Sequence, residues 1–171
     1  LIEKHPNAEV YTCASGISPS GPVHIGNFRE VITTYFVVKA LRDMGKKVRF
    51  IYSWDSFDRL RKVSSLLPEN FTDYIGMPYS EIPAPFGEEK NFEKTFEVPM
   101  MNSVKEMGID AEFIFQSEQY KSGRYKEGII HALKHRKEIY DIEMSFKTQE
   151  ANDEERENFY PIQIYCEKCG H

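Results

Sequence analysis

Apolar positions recur along most of the chain, and their period changes from one segment to the next. Glu9-Val10-Tyr11-Thr12-Cys13-Ala14 is rich in β-branched and aromatic residues and predicts a buried strand. From Phe28 to Met44 the period lengthens. Val31, Tyr35, Val38 and Leu41 recur at helical spacing, with Ile32 and Phe36 one step round. This predicts a helix that is apolar over a wide arc and closed by Gly45. Val48 to Trp54 predicts a second strand. Strand, crossover helix and strand make a βαβ unit, which is parallel and right-handed in nearly all proteins.

The rest of the chain carries weaker patterns. Ser64 to Lys90 predicts a loop-like insertion, with Pro68, Pro78, Pro83, Pro85, Gly76 and Gly87. Its apolar residues, among them Phe71, Tyr74, Ile75, Met77, Tyr79 and Phe86, predict that it packs down rather than floating. Asn91 to Gly108 predicts helix, broken or restarted near Val98-Pro99. Glu112 to Gln116 predicts a third strand, and Ser122 to Met144 one long helical stretch. Asn152 to Glu157 is an acidic, solvated segment. Phe159 to Tyr165 predicts a strand leading into Cys166-Glu167-Lys168-Cys169-Gly170-His171.

Composition narrows the class. At 171 residues the chain can bury one full core or most of one with an appendage. No apolar run reaches the ~18 residues of a membrane span, and the N-terminus, which starts at Leu1, shows no signal peptide. Three cysteines, two of them in Cys166-x-x-Cys169, suit a reducing compartment better than a disulfide framework. The cytoplasm is therefore expected. The net charge of −5 gives no general attraction for nucleic acid, so an RNA partner needs local basic patches. Arg59-Leu60-Arg61-Lys62 is one candidate. The run through Lys121, Arg124, Lys126, Lys134, His135, Arg136 and Lys137 is another, although such runs are as often a solvated helix face.

Between the first strand and its helix lies Ser15-Gly16-Ile17-Ser18-Pro19-Ser20-Gly21-Pro22-Val23-His24-Ile25-Gly26-Asn27. A strand-to-helix turn at the carboxyl edge of a parallel sheet is where nucleotide phosphates are commonly held. Glycines and prolines let the backbone turn tightly and approach a ligand. The helix tip offers N–H groups and a partial positive charge, and His24 and Asn27 can donate to phosphate oxygens. The stretch is neither GxGxxG nor a P-loop, since no Gly-Lys-Ser/Thr follows its glycines.

Pro19 to Asn27 resembles the first signature of class I aminoacyl-tRNA synthetases, usually written HIGH, here His24-Ile25-Gly26-Asn27. The Asn ending and the Ser-Gly-Ile-Ser-Pro-Ser-Gly before it resemble class I lysyl-tRNA synthetases in particular. So do Val48 to Val63 and Tyr74 to Gly87. The resemblance covers nearly the whole chain, as the front of a much longer enzyme. It implies a Rossmann-type parallel sheet over residues 1–158 with an insertion at about 64–90, then the start of a zinc-ribbon-like element at 159–171. It also implies ATP-dependent activation of lysine and transfer to tRNA(Lys), with Mg2+. His24 and Asn27 would be the catalytic donors. Ser18, Pro19, Ser20, Gly21, His24, Gly26 and Asn27 would bind ATP, and Gly16, Ser18, Trp54 and Asp55 would contact lysine. In that family a lysine-rich second signature, KMSKS, completes the phosphate clamp. No such stretch occurs here, so these residues alone are expected to charge little or no tRNA.

Other readings stay open at several positions. Asp55 and Asp58 flank an expected helix start, where a carboxylate binds an ammonium group or simply caps the helix. Trp54 is a core residue or a stacking wall. Cys166 and Cys169, with His171 as a third donor, are half of a structural Zn2+ site in the complete protein, or else an unmetallated thiol pair. Cys13 is a buried apolar residue. His131 and His135 stand one helical turn apart without a Glu-x-x-His context, as on a solvated basic face. Two further functions fit parts of the pattern: another HxGH-type adenylyltransferase, and a non-catalytic zinc- and nucleic-acid-binding module.

Overall fold

Three parallel strands frame the N-terminal part of the computed structural model, which describes residues 1–148 and 152–170. They are β1 (Tyr11–Ile17), β2 (Val48–Trp54) and β3 (Glu112–Phe115), in the order β1-β2-β3. Helix α1 (Ile25–Asp43) crosses from β1 to β2, and α2 (Phe92–Glu106) lies between β2 and β3. This is part of a Rossmann-type α/β fold, as expected. The chain divides into two compact units, one of Leu1–Glu118 and one of Gln119–Cys169.

Alternation along the strands selects one buried face. Tyr11 and Cys13 of β1 join Phe50, Tyr52 and Trp54 of β2 in a core that also holds Val31, Val38 and Leu41 of α1 and Met100 and Val104 of α2. Thr12 and Ala14, on the other face, are exposed. There Arg49 grips Glu112 through two hydrogen bonds of 2.6 Å.

The first strand runs further than the sequence pattern implies. Ser15, Gly16 and Ile17 read as a turn, yet they pair with Tyr52, Ser53 and Trp54. Gly16 is what allows this, because a Cβ there would lie 2.3 Å from the Ser53 carbonyl oxygen. The helix expected from Phe28 starts at Ile25 instead.

The insertion packs down as predicted, with two short 3₁₀ turns, Glu69–Tyr74 and Tyr79–Glu81. Leu60, Leu67, Phe71, Tyr79, Ile82, Phe92 and Phe96 form a second apolar cluster beneath it. No break occurs at Pro99, which sits inside an unbroken α2. Pro99 faces solvent, and Phe96, Met100 and Val104 anchor the helix on either side of it. Tertiary packing outweighs the local penalty.

Helix α2 also buries charge. Glu97 is fully buried; its Oε2 accepts from Lys94 Nζ at 2.7 Å, and Oε1 has no partner among the described residues. Burial pushes this carboxyl from 4.5 up to about 7, with the Lys94 ammonium opposing the shift and Glu93 and Glu118 adding to it. The folded state therefore holds a proton that the unfolded chain releases above about pH 4.5. Its contribution to stability is complete below that pH and is lost as pH rises toward 7. The loss amounts to about 3 kcal/mol. Urea midpoints at pH 5 and pH 8 should show this drop in the parent and not in Glu97→Gln. An equal drop in both would place the titrating group elsewhere.

Among its described residues the second unit contains three helices where one long helix and an acidic coil were expected. After α3 (Gln116–Lys121), which spans the division, come α4 (Lys126–Lys134) and α5 (Arg136–Ser145), interrupted at His135. The acidic segment forms α6 (Asp153–Asn158), because Asn152 caps it and three acids occupy its first turn. The strand expected over residues 159–165 does not form: no partner strand pairs with it among the described residues, and Arg136 takes the Phe159 carbonyl. No described helix is long and apolar enough to cross a membrane.

Candidate functional site

The turn between β1 and α1 is built around the helix cap. His24 is the N-cap of α1, with extended backbone. Its Nδ1 accepts from the Gly26 N–H at 3.1 Å, and its own N–H donates to Asn27 Oδ1 at 3.2 Å. This is a reciprocal capping box, made by His and Asn instead of Ser and Glu. Gly26 makes room for the ring, since a Cβ there would lie 2.9 Å from His24 Cε1.

The cap determines which atoms remain for a ligand. With Nδ1 accepting, the neutral imidazole carries its proton on Nε2. With Oδ1 accepting, Asn27 keeps its NH2 group as donor. Both residues thus keep donors for a ligand while their acceptors close the helix. Among the described residues, the backbone N–H groups of Gly21, Val23 and Ile25 have no protein acceptor. His24 is exposed and Asn27 half-buried. The arrangement suits a polyanion at a helix tip.

The other expected ATP contacts divide by position. Ser20 and Gly26 are exposed, and Ser18 and Gly21 half-buried, along the turn. Pro19 is fully buried, so its side chain shapes the loop without touching a ligand.

At the neighbouring carboxyl end of β2, Gly16, Ser18 and Asp55 come together. Gly16 pairs with Ser53, and the Asp55 N–H donates to the Ile17 carbonyl at 2.9 Å. Burial pushes the Asp55 carboxyl up and the nearby Asp58 charge adds to this, while a hydrogen bond from Ser53 opposes it. Trp54 does not join them. It is 0% exposed and packs edge-on against Tyr52 in the core, so of its two readings the core one holds. The helix expected after β2 is absent, and Asp58 caps nothing. Its carboxylate accepts from Ser18 Oγ at 2.8 Å, tying the two loops together. Sequence reasoning missed this link, for which the only signal is a second acid three residues after Asp55. Ser56 is buried against Ser117 and is structural.

The basic run of the second unit is largely engaged. Arg136 donates to the carbonyls of Glu157 and Phe159, Lys137 pairs with Glu157, and His135 contacts Glu138. The rings of His131 and His135 lie 4.4 Å apart. No group of three metal-binding side chains exists among the described residues.

Cys166 and Cys169 are both exposed, on either side of a tight turn. Backbone N–H groups of Cys169 and Lys168, together with the Cys169 thiol, hold the Cys166 thiol below its ordinary range. N–H donation to sulfur around Cys-x-x-Cys fits one half of a tetrahedral zinc site. His171 lies outside the described residues.

The whole chain, residues 1–171, matches the family model described as tRNA synthetases class I (K). A lysine–tRNA ligase of Pyrococcus horikoshii is 40% identical over 166 residues, which cover 97% of this chain and 32% of that protein. One from Treponema pallidum is 39% identical over 174 residues, covering 99% of this chain and 32% of that protein. One from Borreliella burgdorferi is 43% identical over 170 residues, covering 98% and 32%. The chain spans about a third of the length of these curated relatives.

Proposed function

The chain belongs to the class I (K) family of tRNA synthetases, and from that membership we propose that it is the nucleotide-binding front of a lysine–tRNA ligase. The reaction joins the carboxylate of lysine to the α-phosphate of ATP, expels diphosphate, and passes the lysyl group to tRNA(Lys). Negative charge grows on the α-phosphate and on the leaving oxygens. Preplaced donors stabilise that charge more than they stabilise the bound substrate. His24 Nε2, the Asn27 amide and the free N–H groups of the turn are those donors in this reading. Mg2+, when bound with ATP, neutralises part of the phosphate charge. Gly16, Ser18 and Asp55 are placed to receive the amino acid, with Asp55 as partner for an ammonium group.

The observation that supports the reading is the capping box, which occupies the acceptors of His24 and Asn27 and leaves their donors unused at the carboxyl edge of a parallel sheet. Cys166 and Cys169 would supply two of the four ligands of a structural zinc ion, in an element beginning near residue 159. The work of such an enzyme places it in the cytoplasm. Amino-acid-dependent ATP–pyrophosphate exchange by the complete gene product tests the assignment. Lysine should support exchange. Exchange with a different amino acid, or with none, would refute it.

A further inference from the structure

Strands β2 and β3 end together, with Trp54 paired to Phe115 in the last rung of the ladder. In the same register the next residues are Asp55 with Gln116 and Ser56 with Ser117. Beyond the last rung, side chains carry the pairing on. Gln116 Nε2 donates to Ser53 Oγ at 2.7 Å, and the Ser53 hydroxyl donates to Asp55 Oδ1 at 3.5 Å. The Ser117 N–H donates to Ser56 Oγ at 3.1 Å, and the Ser56 hydroxyl donates back to Ser117 Oγ at 3.0 Å. Two consecutive residues after β3 thus hold the chain on both sides of Asp55.

The hold is anchored in the core. Ser117 is buried, and its hydroxyl donates to Oε2 of Glu93, itself buried in the first turn of α2. A carboxylate in such a place costs stability unless donors reach it. Glu93 Oε1 accepts from Asn91 Nδ2 at 3.4 Å, and the same amide reaches the Ser80 carbonyl at 2.9 Å. The Ser80 N–H returns to the Ser56 carbonyl at 3.2 Å. Ser56, Ser117, Glu93, Asn91 and Ser80 therefore close a ring that fixes the backbone next to Asp55. Gln116 acts on the carboxylate itself. It occupies a lone pair of Ser53 Oγ and leaves the hydroxyl proton for Asp55. That bond favours the charged carboxylate, against the burial and the Asp58 charge that push its titration up.

We propose that Gln116 and Ser117 are positioning residues, which orient the Asp55 carboxylate to receive the ammonium group of the amino acid. The inference rests on the reading of Asp55 as that partner. Gln116 acts through Ser53 and Ser117 through Ser56.

Two measurements test it. In the 171-residue chain the Asp55 carboxyl carbon is followed by NMR against pH. Gln116→Met keeps the length of the side chain and removes the donor, so the Asp55 midpoint should move up. In the complete gene product, Gln116→Met and Ser117→Ala should each raise KM for lysine in ATP–pyrophosphate exchange by roughly 5- to 50-fold. The kcat and the KM for ATP should stay near the parent values, the pattern of lost ground-state binding. Ser117→Ala also strips a donor from buried Glu93 and lowers the melting temperature. Gln116 is only half-buried, and its variant carries the test if Ser117→Ala does not fold. An Asp55 midpoint that stays in place in Gln116→Met would overturn the inference. So would equal losses for lysine and ATP, the mark of general loosening. If the midpoint moves and KM for lysine does not, Gln116 still positions Asp55, and the reading of Asp55 as the amino-acid partner fails.

Discussion

If the proposed function holds, His24→Ser in the complete gene product should lower lysine-dependent ATP–pyrophosphate exchange by about 100- to 1,000-fold, the usual effect of losing one donor to a developing charge. Serine is itself a good N-cap. The helix cap therefore survives the change while the Nε2 donor is lost, and the melting temperature should stay near that of the parent. Asn27→Asp sharpens the point. Its carboxylate still accepts the His24 N–H at the third helical position, as an acid does in an ordinary capping box. In the proposed reading it also replaces a donor to phosphate with a negative charge. Asn27→Asp should therefore reduce exchange more than Asn27→Ala, although it is the better helix former at that position. If Asn27→Ala were the worse variant, the side chain would matter for the cap and not for the ligand.

Phe92→Ala costs the first unit about 3–5 kcal/mol, as large-to-small changes at fully packed aromatic sites do. Phe92 is 0% exposed at the centre of the second apolar cluster. Its ring stacks on Tyr79 at 5.4 Å, meets Phe96 edge-on at 4.9 Å and lies 6.1 Å from Phe71. It joins α2 to the insertion, and Leu60 and Leu67 of the same cluster flank Arg61, Lys62 and Ser64, which line a cavity beside the β1–α1 turn. Loss of the ring therefore loosens the wall of that cavity as well as the core. Trp54, the chain's single tryptophan and fully buried, reports the urea transition by fluorescence. Phe92→Leu should lose less. An unchanged midpoint for Phe92→Ala would mean that the insertion is not held by this cluster.

The parts of the fold that depend on local pattern were readable from the chain. Strand β2 matches its expected range, and β3 and the core face of α1 follow from simple periodicity. The misread boundaries are those decided by partners distant in sequence. Ser15-Gly16 looks like a turn until Ser53 is placed beside Gly16, where only a residue without Cβ fits. The start of α1 hides because histidine is an uncommon cap and Gly26 a poor helix former; both are there to build the cap. Pro99 reads as a break because its neighbours in the core are invisible in the sequence.

The candidate site was legible in the same uneven way. The turn and its two donors follow from strand, loop and helix order. Trp54 could not be sorted between core and ligand without burial. The link between Ser18 and Asp58 joins residues 40 apart, so no local pattern announces it. Arg61 and Lys62 were visible as charge, but only the structure shows that these exposed residues line a cavity together with Ser18 and Ser20.

Amide chemical shifts of the isotope-labelled 171-residue chain, followed during titration with Mg-ATP, test the central claim most directly. If the β1–α1 turn holds the triphosphate, the largest shifts fall on Ser20, Gly21, Val23, Ile25, Gly26 and Asn27, with the His24 ring moving alongside them. Saturating nucleotide that leaves these residues unshifted, or that moves only residues of the second unit, would contradict it.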